Sequence, residues 1–284
     1  MLPIGGRRSV RAMITRALPT RGPVVVGLDG GASGRDAFAL GARLADLLGA
    51  PLDLVRYSGA MPAEALSRTA SGEDAAVVVL GPTHRRAFAR TLRGTARRLL
   101  GQAPCPVAVA PAGFAGRPEL PLRAIGVGYE PTPAGRGALA VAHDLAGRAD
   151  GSLVAIGVVL PISPFALDDL HDREPYLEEE RRLVRAGLDR ALAELPEGVP
   201  CTADARVGDP AVELAAAAWQ LDLLVCGSRG RGPLRAVLLG SVTERVLHSA
   251  ACPVLIVPSA GGLRAQAPSA ARAIRPAVLP PPRG

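Results

Sequence analysis

Apolar residues in this chain gather in short unbroken runs rather than alternating with polar ones. Such runs occupy residues 24–28, 76–80, 153–160, 221–226 and 254–257. A strand that is aliphatic at every position is buried on both faces, as in a parallel sheet covered by helices. Between the runs the apolar spacing is helical. A long helix is predicted over roughly 173–195, opening with Glu174, Glu178, Glu179 and Glu180, since acids favour a helix N-terminus; Glu178 also lies four residues ahead of Arg182. A strand around 202–207 follows, then a helix from Pro210, because proline is tolerated in a first helical turn. Strands alternating with helices predict doubly wound α/β units with right-handed crossovers. Their ligand site lies beyond the carboxyl ends of the strands.

The pattern occurs twice. Residues 23–55 and 123–156 both give an apolar strand, an acidic residue, a small-residue loop, Gly-Arg-x-Ala on a helix and a second strand; Asp29 falls on Glu130, Arg35 on Arg136 and Ala37 on Ala138. The ends of the halves also match, with Gly81 on Gly227, Gly94 on Gly240, and Cys105-Pro106-Val107 on Cys252-Pro253-Val254. The long helix and the strand at 202–207 have no counterpart in the first half, whose second strand runs directly into its next helix. The expected organisation is an Arg-rich disordered arm (1–23), a truncated domain (24–111), a Pro/Gly linker (112–121), a complete domain (122–258) and a disordered tail (259–284). Each domain ends in an apolar strand, 107–110 or 254–257. An open edge of that kind seeks a partner, so the two halves are expected to pair, with a homodimer as a further step.

Charge alters this picture less than the pI of 10.2 suggests. Residues 1–23 and 259–284 carry arginine and no acid, while the body between them holds 24 arginines against 26 acids. The basic balance therefore belongs to the ends. With eight aromatics in the chain, a base-stacking nucleic-acid surface is not expected. All 33 basic residues are arginine. The absence of lysine excludes a Walker A loop and Schiff-base or kinase chemistry. No apolar stretch is long enough to span a bilayer. The scattered Cys105, Cys201, Cys226 and Cys252 form no Cys-x-x-Cys pair, which points to a reducing, cytoplasmic setting.

The strongest chemical signal is the segment from Cys226 to Val242, with Gly227, Gly230, Gly240 and Ser241. Glycines let backbone N–H groups approach a ligand, and Ser241 is placed to N-cap the following helix, whose N-terminus suits phosphate. Gly126-Val-Gly128 starts like a dinucleotide fingerprint but meets Pro131 in place of its third glycine. Asp168, Asp169, His171, Asp172 and Glu174 read as a solvated loop and helix start rather than a metal site. His143 and His248, each alone on a helix, read as packing or surface residues.

The spacing Gly-x2-Gly-x9-Gly-Ser, followed by Cys-Pro-Val-Leu-Ile-Val-Pro, resembles the ATP-binding signature of universal stress proteins, and Val-Gly-Leu-Asp29-Gly resembles that family's opening strand. The likeness covers most of 24–258 as a tandem, two-domain member with an adenine-nucleotide α-hydrolase-like fold. It implies phosphate and ribose contacts at Gly227, Gly230, Gly240 and Ser241, a backbone contact at Val242, a ribose–adenine contact at Glu130, and an adenine contact at the Val158 backbone. The ligand so implied is ATP, alone or with Mg. The implied role is a sensor or regulator rather than an enzyme; the rival readings are a nucleotide-free scaffold and a weak ATP hydrolase. Two departures bear on which half binds. Glu130 stands where the family carries aspartate, and the first-half loop has His84 and Thr95 in place of Gly230 and Ser241. The second half is therefore expected to bind, and the shortening of the first is expected to remove a wall of its adenine site.

Overall fold

A computed structural model describes residues 22–57, 62–82, 105–117, 121–161, 173–228 and 240–258. The first half comprises β1 (Val24–Leu28), α1 (Ala32–Leu48), β2 (Leu52–Arg56), α2 (Pro62–Gly72), β3 (Val77–Leu80) and β4 (Val107–Val109). The second comprises β5 (Ala124–Gly128), α3 (Pro133–Arg148), β6 (Ser152–Val159), α4 (Arg173–Ala193), β7 (Cys201–Val207), α5 (Pro210–Ala217), β8 (Leu223–Gly227), α6 (Ser241–Ser249) and β9 (Val254–Val257). Two predicted boundaries shift for visible reasons. The strand at 221–226 begins at Leu223 because the Asp222 carboxylate turns aside to accept the N–H groups of Arg123 and Ala124, at 2.9 and 2.8 Å. The long helix ends at Ala193, short of Pro196, since the position before a proline disfavours helical backbone.

The nine strands of the described residues join one sheet in the order β2-β1-β3-β4-β9-β8-β5-β6-β7. Pairing is parallel within each half and antiparallel only between β4 and β9, where Ala108 faces Leu255. The expected meeting of the last strands is thus present as a ladder inside the chain. Successive strand residues serve opposite layers. Val24 and Val26 face the layer that holds α1, α3 and α4, whereas Val25 faces the layer that holds α2, α5 and α6. This two-sided burial is why the strands are aliphatic throughout. The second half has five strands in the order β9-β8-β5-β6-β7. The first lacks the counterparts of α4 and β7, so β2 forms an edge of the sheet.

The predicted linker is more than a tether. Its described residues 112–117 include a 3-10 turn at Phe114–Gly116 docked on α1. Phe114 is buried under the Arg43 guanidinium, 4.4 Å from the ring centroid. The buried Asp36 carboxylate accepts the N–H groups of Gly113 (3.0 Å) and Ala115 (2.8 Å). Asp36→Ala strands both donors and is expected to cost about 1.5–3 kcal/mol, read as a lowered denaturant midpoint with an unchanged slope.

Candidate functional site

The switch point of the second half lies between the carboxyl ends of β5 and β8, which are hydrogen-bonded neighbours reached by crossovers in opposite directions. A cavity of about 100 Å³ sits there. Its walls are the first turns of α3 (Thr132, Ala134, Gly135), α5 (Pro210) and α6 (Gly240, Val242, Thr243), with Ile156, Val158 and Leu214 forming an apolar side. Helix N-termini concentrate N–H groups without intrahelical partners and a partial positive charge. Here three of them converge. Among the described lining residues none is cationic. Glu130 is the one carboxylate among those lining residues. Arg245 of α6 ties the site together from outside: it donates to Asp209, the N-cap of α5, at 2.7 Å and holds that carboxyl below its usual range.

The two acids that follow the opening strands behave differently. Asp29 is committed to its own helix, one carboxylate oxygen accepting the N–H groups of Gly31 and Gly34 at 2.9 and 2.8 Å. In the second half that capping is done by Thr132, whose hydroxyl accepts the Gly135 N–H at 3.1 Å. Glu130 is exposed and lines the cavity.

Gly227 has a structural reason as well as a chemical one. A Cβ there would stand 2.8 Å from the Ala134 carbonyl oxygen, so glycine lets the end of β8 pass close under α3. Gly81 does the same in the first half, where a Cβ would meet the Ser33 carbonyl oxygen at 2.1 Å. Its presence in both halves therefore reflects a packing requirement that the two share. The discriminating residues lie nearby. Opposite Gly128 the second half presents Leu214, and Cys226 lines the space. Opposite the equivalent Gly27 stand Tyr57, Leu66 and Leu80, each with an atom within about 3.2 Å of where a Cβ would be. The space beneath Gly27 is thus packed with side chains, while residues 58–61 and 83–104, which bear on the expected first-half site, lie outside those described. Burial, with Asp29 nearby, pushes the Tyr57 phenol up to about 12, so the ring stays neutral. Sequence reading missed Tyr57 because it follows β2 as an unremarked residue, and only the fold turns it under Gly27.

Of the remaining expected site residues, Val158, Gly240 and Val242 line the cavity. Ser241 is corrected: Gly240, with extended backbone (φ −64°, ψ 147°), is the N-cap, and Ser241 is the first helical residue, exposed. Its hydroxyl is therefore not used as that cap. Gly230, His84, Thr95, Asp168, Asp169, His171 and Asp172 lie outside the described residues, as do 1–21 and 259–284. Among the described residues no grouping of His, Cys, Asp and Glu could hold a metal ion, and no helix is long and apolar enough to cross a membrane. Burial pushes the thiols of Cys105, Cys226 and Cys252 up to about 12, which keeps them protonated and unreactive. His143 is a packing residue, its Nε2 lying 3.1 Å from the Pro196 carbonyl oxygen.

A larger cavity, about 1320 Å³, lies along α1 in the first half. It runs from the first turn of α1, at Gly31 and Gly34, to Asp46 and Leu47.

The family model described as universal stress protein family matches residues 57–111 and 121–258. Universal stress protein Rv2005c of Mycobacterium tuberculosis is 34% identical over 186 residues, covering 64% of this chain and 62% of that protein. A universal stress protein of Mycolicibacterium smegmatis is 34% identical over 203 residues, covering 68% of this chain and 66% of that protein. The chain thus spans somewhat under two thirds of the length of these relatives. Among solved structures, a universal stress protein from Archaeoglobus fulgidus superposes with a TM-score of 0.55 at 14% identity, covering 84% of this chain and 96% of that one. At that identity the likeness speaks for the fold.

Proposed function

Since the chain belongs to the universal stress protein family, we propose that it is an ATP-binding regulatory module whose second half holds the nucleotide. The observation that carries this reading is the convergence of three helix N-termini on a cavity with one apolar side. Phosphates suit the backbone N–H groups at Gly240, Ser241 and Val242 and the exposed Ser241 hydroxyl. The adenine suits Ile156, Val158 and Leu214, and Glu130 is placed for the ribose. In the first half Tyr57 packs beneath Gly27 and Asp29 is occupied as a cap, so one nucleotide per chain is expected. The protein's part is to bind and orient: no lysine, arginine or histidine stands among the described lining residues to act on a phosphoryl group. Mg would accompany the phosphates as a counterion.

One observation favours the rival, a nucleotide-free scaffold. The cavity of about 100 Å³ is below the ~300 Å³ at which small-molecule pockets usually begin, so a nucleotide must part its walls. Thermal unfolding decides between the two. ATP at a hundred times its Kd is expected to stabilise the fold by about 2.7 kcal/mol. Ser241→Ala removes a hydrogen bond to a charged group and is expected to weaken binding about 10–100-fold, while Asp29→Ala leaves the affinity unchanged. A melting temperature indifferent to millimolar ATP would establish the scaffold instead.

A further inference from the structure

The repeat provides an internal standard for what is missing from the first half. In the second half, α4 lies over β6 and β7, with Leu188 and Ala191 in the core and Val184 packed against it. A Cβ at Gly157 of β6 would touch both Val184 and Leu188. Beneath this cover, Leu139 of α3 is 0% exposed and Ala155 of β6 is 1% exposed. The equivalent positions in the first half are Phe38 and Leu54, and they are 45% and 49% exposed. Leu54 shares its side of β2 with Leu52, which packs on the α1 layer. The first half therefore keeps large apolar residues at two positions that α4 and its neighbours close in the second.

Charge says what suits the gap. The cavity along α1 is lined by Arg35, Arg43, Arg56, Arg117 and Arg148, against Asp29 and Asp46. Asp29 already serves as a cap, and Arg148 pairs with Asp144 at 2.9 Å. The rim remains strongly positive. This disfavours the chain's own arm at 1–21, which carries arginine and no acid. Apolar residues flanked by arginines suit a helix with an apolar stripe and acidic flanks.

We propose that the uncovered face of α1 and β2 docks an acidic amphipathic helix of a partner protein, which takes the place that α4 holds in the second half. Phe38 and Leu54 receive its apolar stripe, and Arg35 and Arg56 receive its acids.

The test uses the full chain and a stapled, fluorescent helix that copies Arg173–Ala193, with Val184, Leu188 and Ala191 kept and its arginines replaced by glutamate. Stapling is needed because short free helices are marginal in water. Saturable binding is expected, weakening with salt. Phe38→Asp should reduce affinity at least about tenfold, as should Arg35→Glu combined with Arg56→Glu. Circular dichroism and the thermal midpoint, unchanged in the variants, show that each is folded, independently of any nucleotide. Equal binding of a sequence-scrambled acidic helix, indifference to Phe38→Asp, or no saturable binding would overturn the proposal. So would a concentration-dependent dimer of the full chain that Phe38→Asp dissolves, which would make the occupant a second copy. Binding to anionic phospholipid vesicles that Phe38→Asp abolishes, without peptide binding, would make it a membrane.

Discussion

Gly135→Ala is expected to destabilise the protein by about 1–3 kcal/mol or more, whereas Gly34→Ala at the equivalent position of the first half is expected to cost less. The difference lies in what the new methyl group meets. At Gly135 it would stand 2.0 Å from the Glu130 carbonyl oxygen and 3.1 Å from its nitrogen. Those are backbone atoms, held by the Thr132 N–H bond to the Glu130 carbonyl at 2.7 Å, so α3 must move. At Gly34 the nearest atoms are an Asp29 carboxylate oxygen at 2.9 Å and the Asp29 nitrogen at 3.1 Å, so a smaller shift is demanded, at the expense of the Asp29 hydrogen bonds. Alanine also gains up to about 1 kcal/mol over glycine within a helix, which offsets part of either cost. Because the α3 first turn is a wall of the proposed nucleotide site, Gly135→Ala should also abolish the thermal response to ATP. Paired unfolding curves of the two variants, with and without ATP, check both expectations. Equal stabilities would show that the Glu130 turn yields more readily than its geometry suggests.

Leu255→Pro is expected to prevent folding. Leu255 is 1% exposed and stands in β9 between β4 and β8, facing Ala108 on one side and Val225 on the other. Proline removes a donor from the middle of the sheet and costs about 3 kcal/mol or more. Loss of the buried leucine adds ~2–5 kcal/mol, judged from leucine truncations. Together these approach the entire stability of an ordinary domain, ~5–15 kcal/mol. Far-UV circular dichroism and recovery from the soluble fraction measure the outcome. A folded variant retaining β1, β2 and β3 would mean that the first half stands without the ladder to β9.

Features set by neighbours in sequence are legible in the sequence itself. The aliphatic runs locate β1 and β9 to the residue, Pro210 opens α5, and the acid-rich start of α4 begins at Arg173. The spacing of glycines locates Gly227 and Gly240 near one cavity, to which the family resemblance adds Val242. What escapes depends on residues far apart in sequence. Asp36 looks like an ordinary polar helical position until Gly113 and Ala115 come within hydrogen-bonding distance. Tyr57 acquires meaning only when Leu66 and Leu80 join it beneath Gly27. Ser241 is off by one position because glycine and serine both favour the N-cap, and the backbone dihedrals of Gly240 decide between them. The shared glycine at 81 and 227 reads as chemistry in the sequence, yet close helix approach explains it in both halves.

The β4–β9 ladder has a consequence for how this molecule responds to abundance. Two separate chains joined edge to edge would come apart on dilution, and their pairing would track expression level. Here both edges belong to one polypeptide. Tethered partners of this kind meet at an effective concentration on the order of millimolar, whatever the amount of protein present. Closure of the sheet is thus insensitive to copy number, and a few molecules per cell are assembled as completely as many.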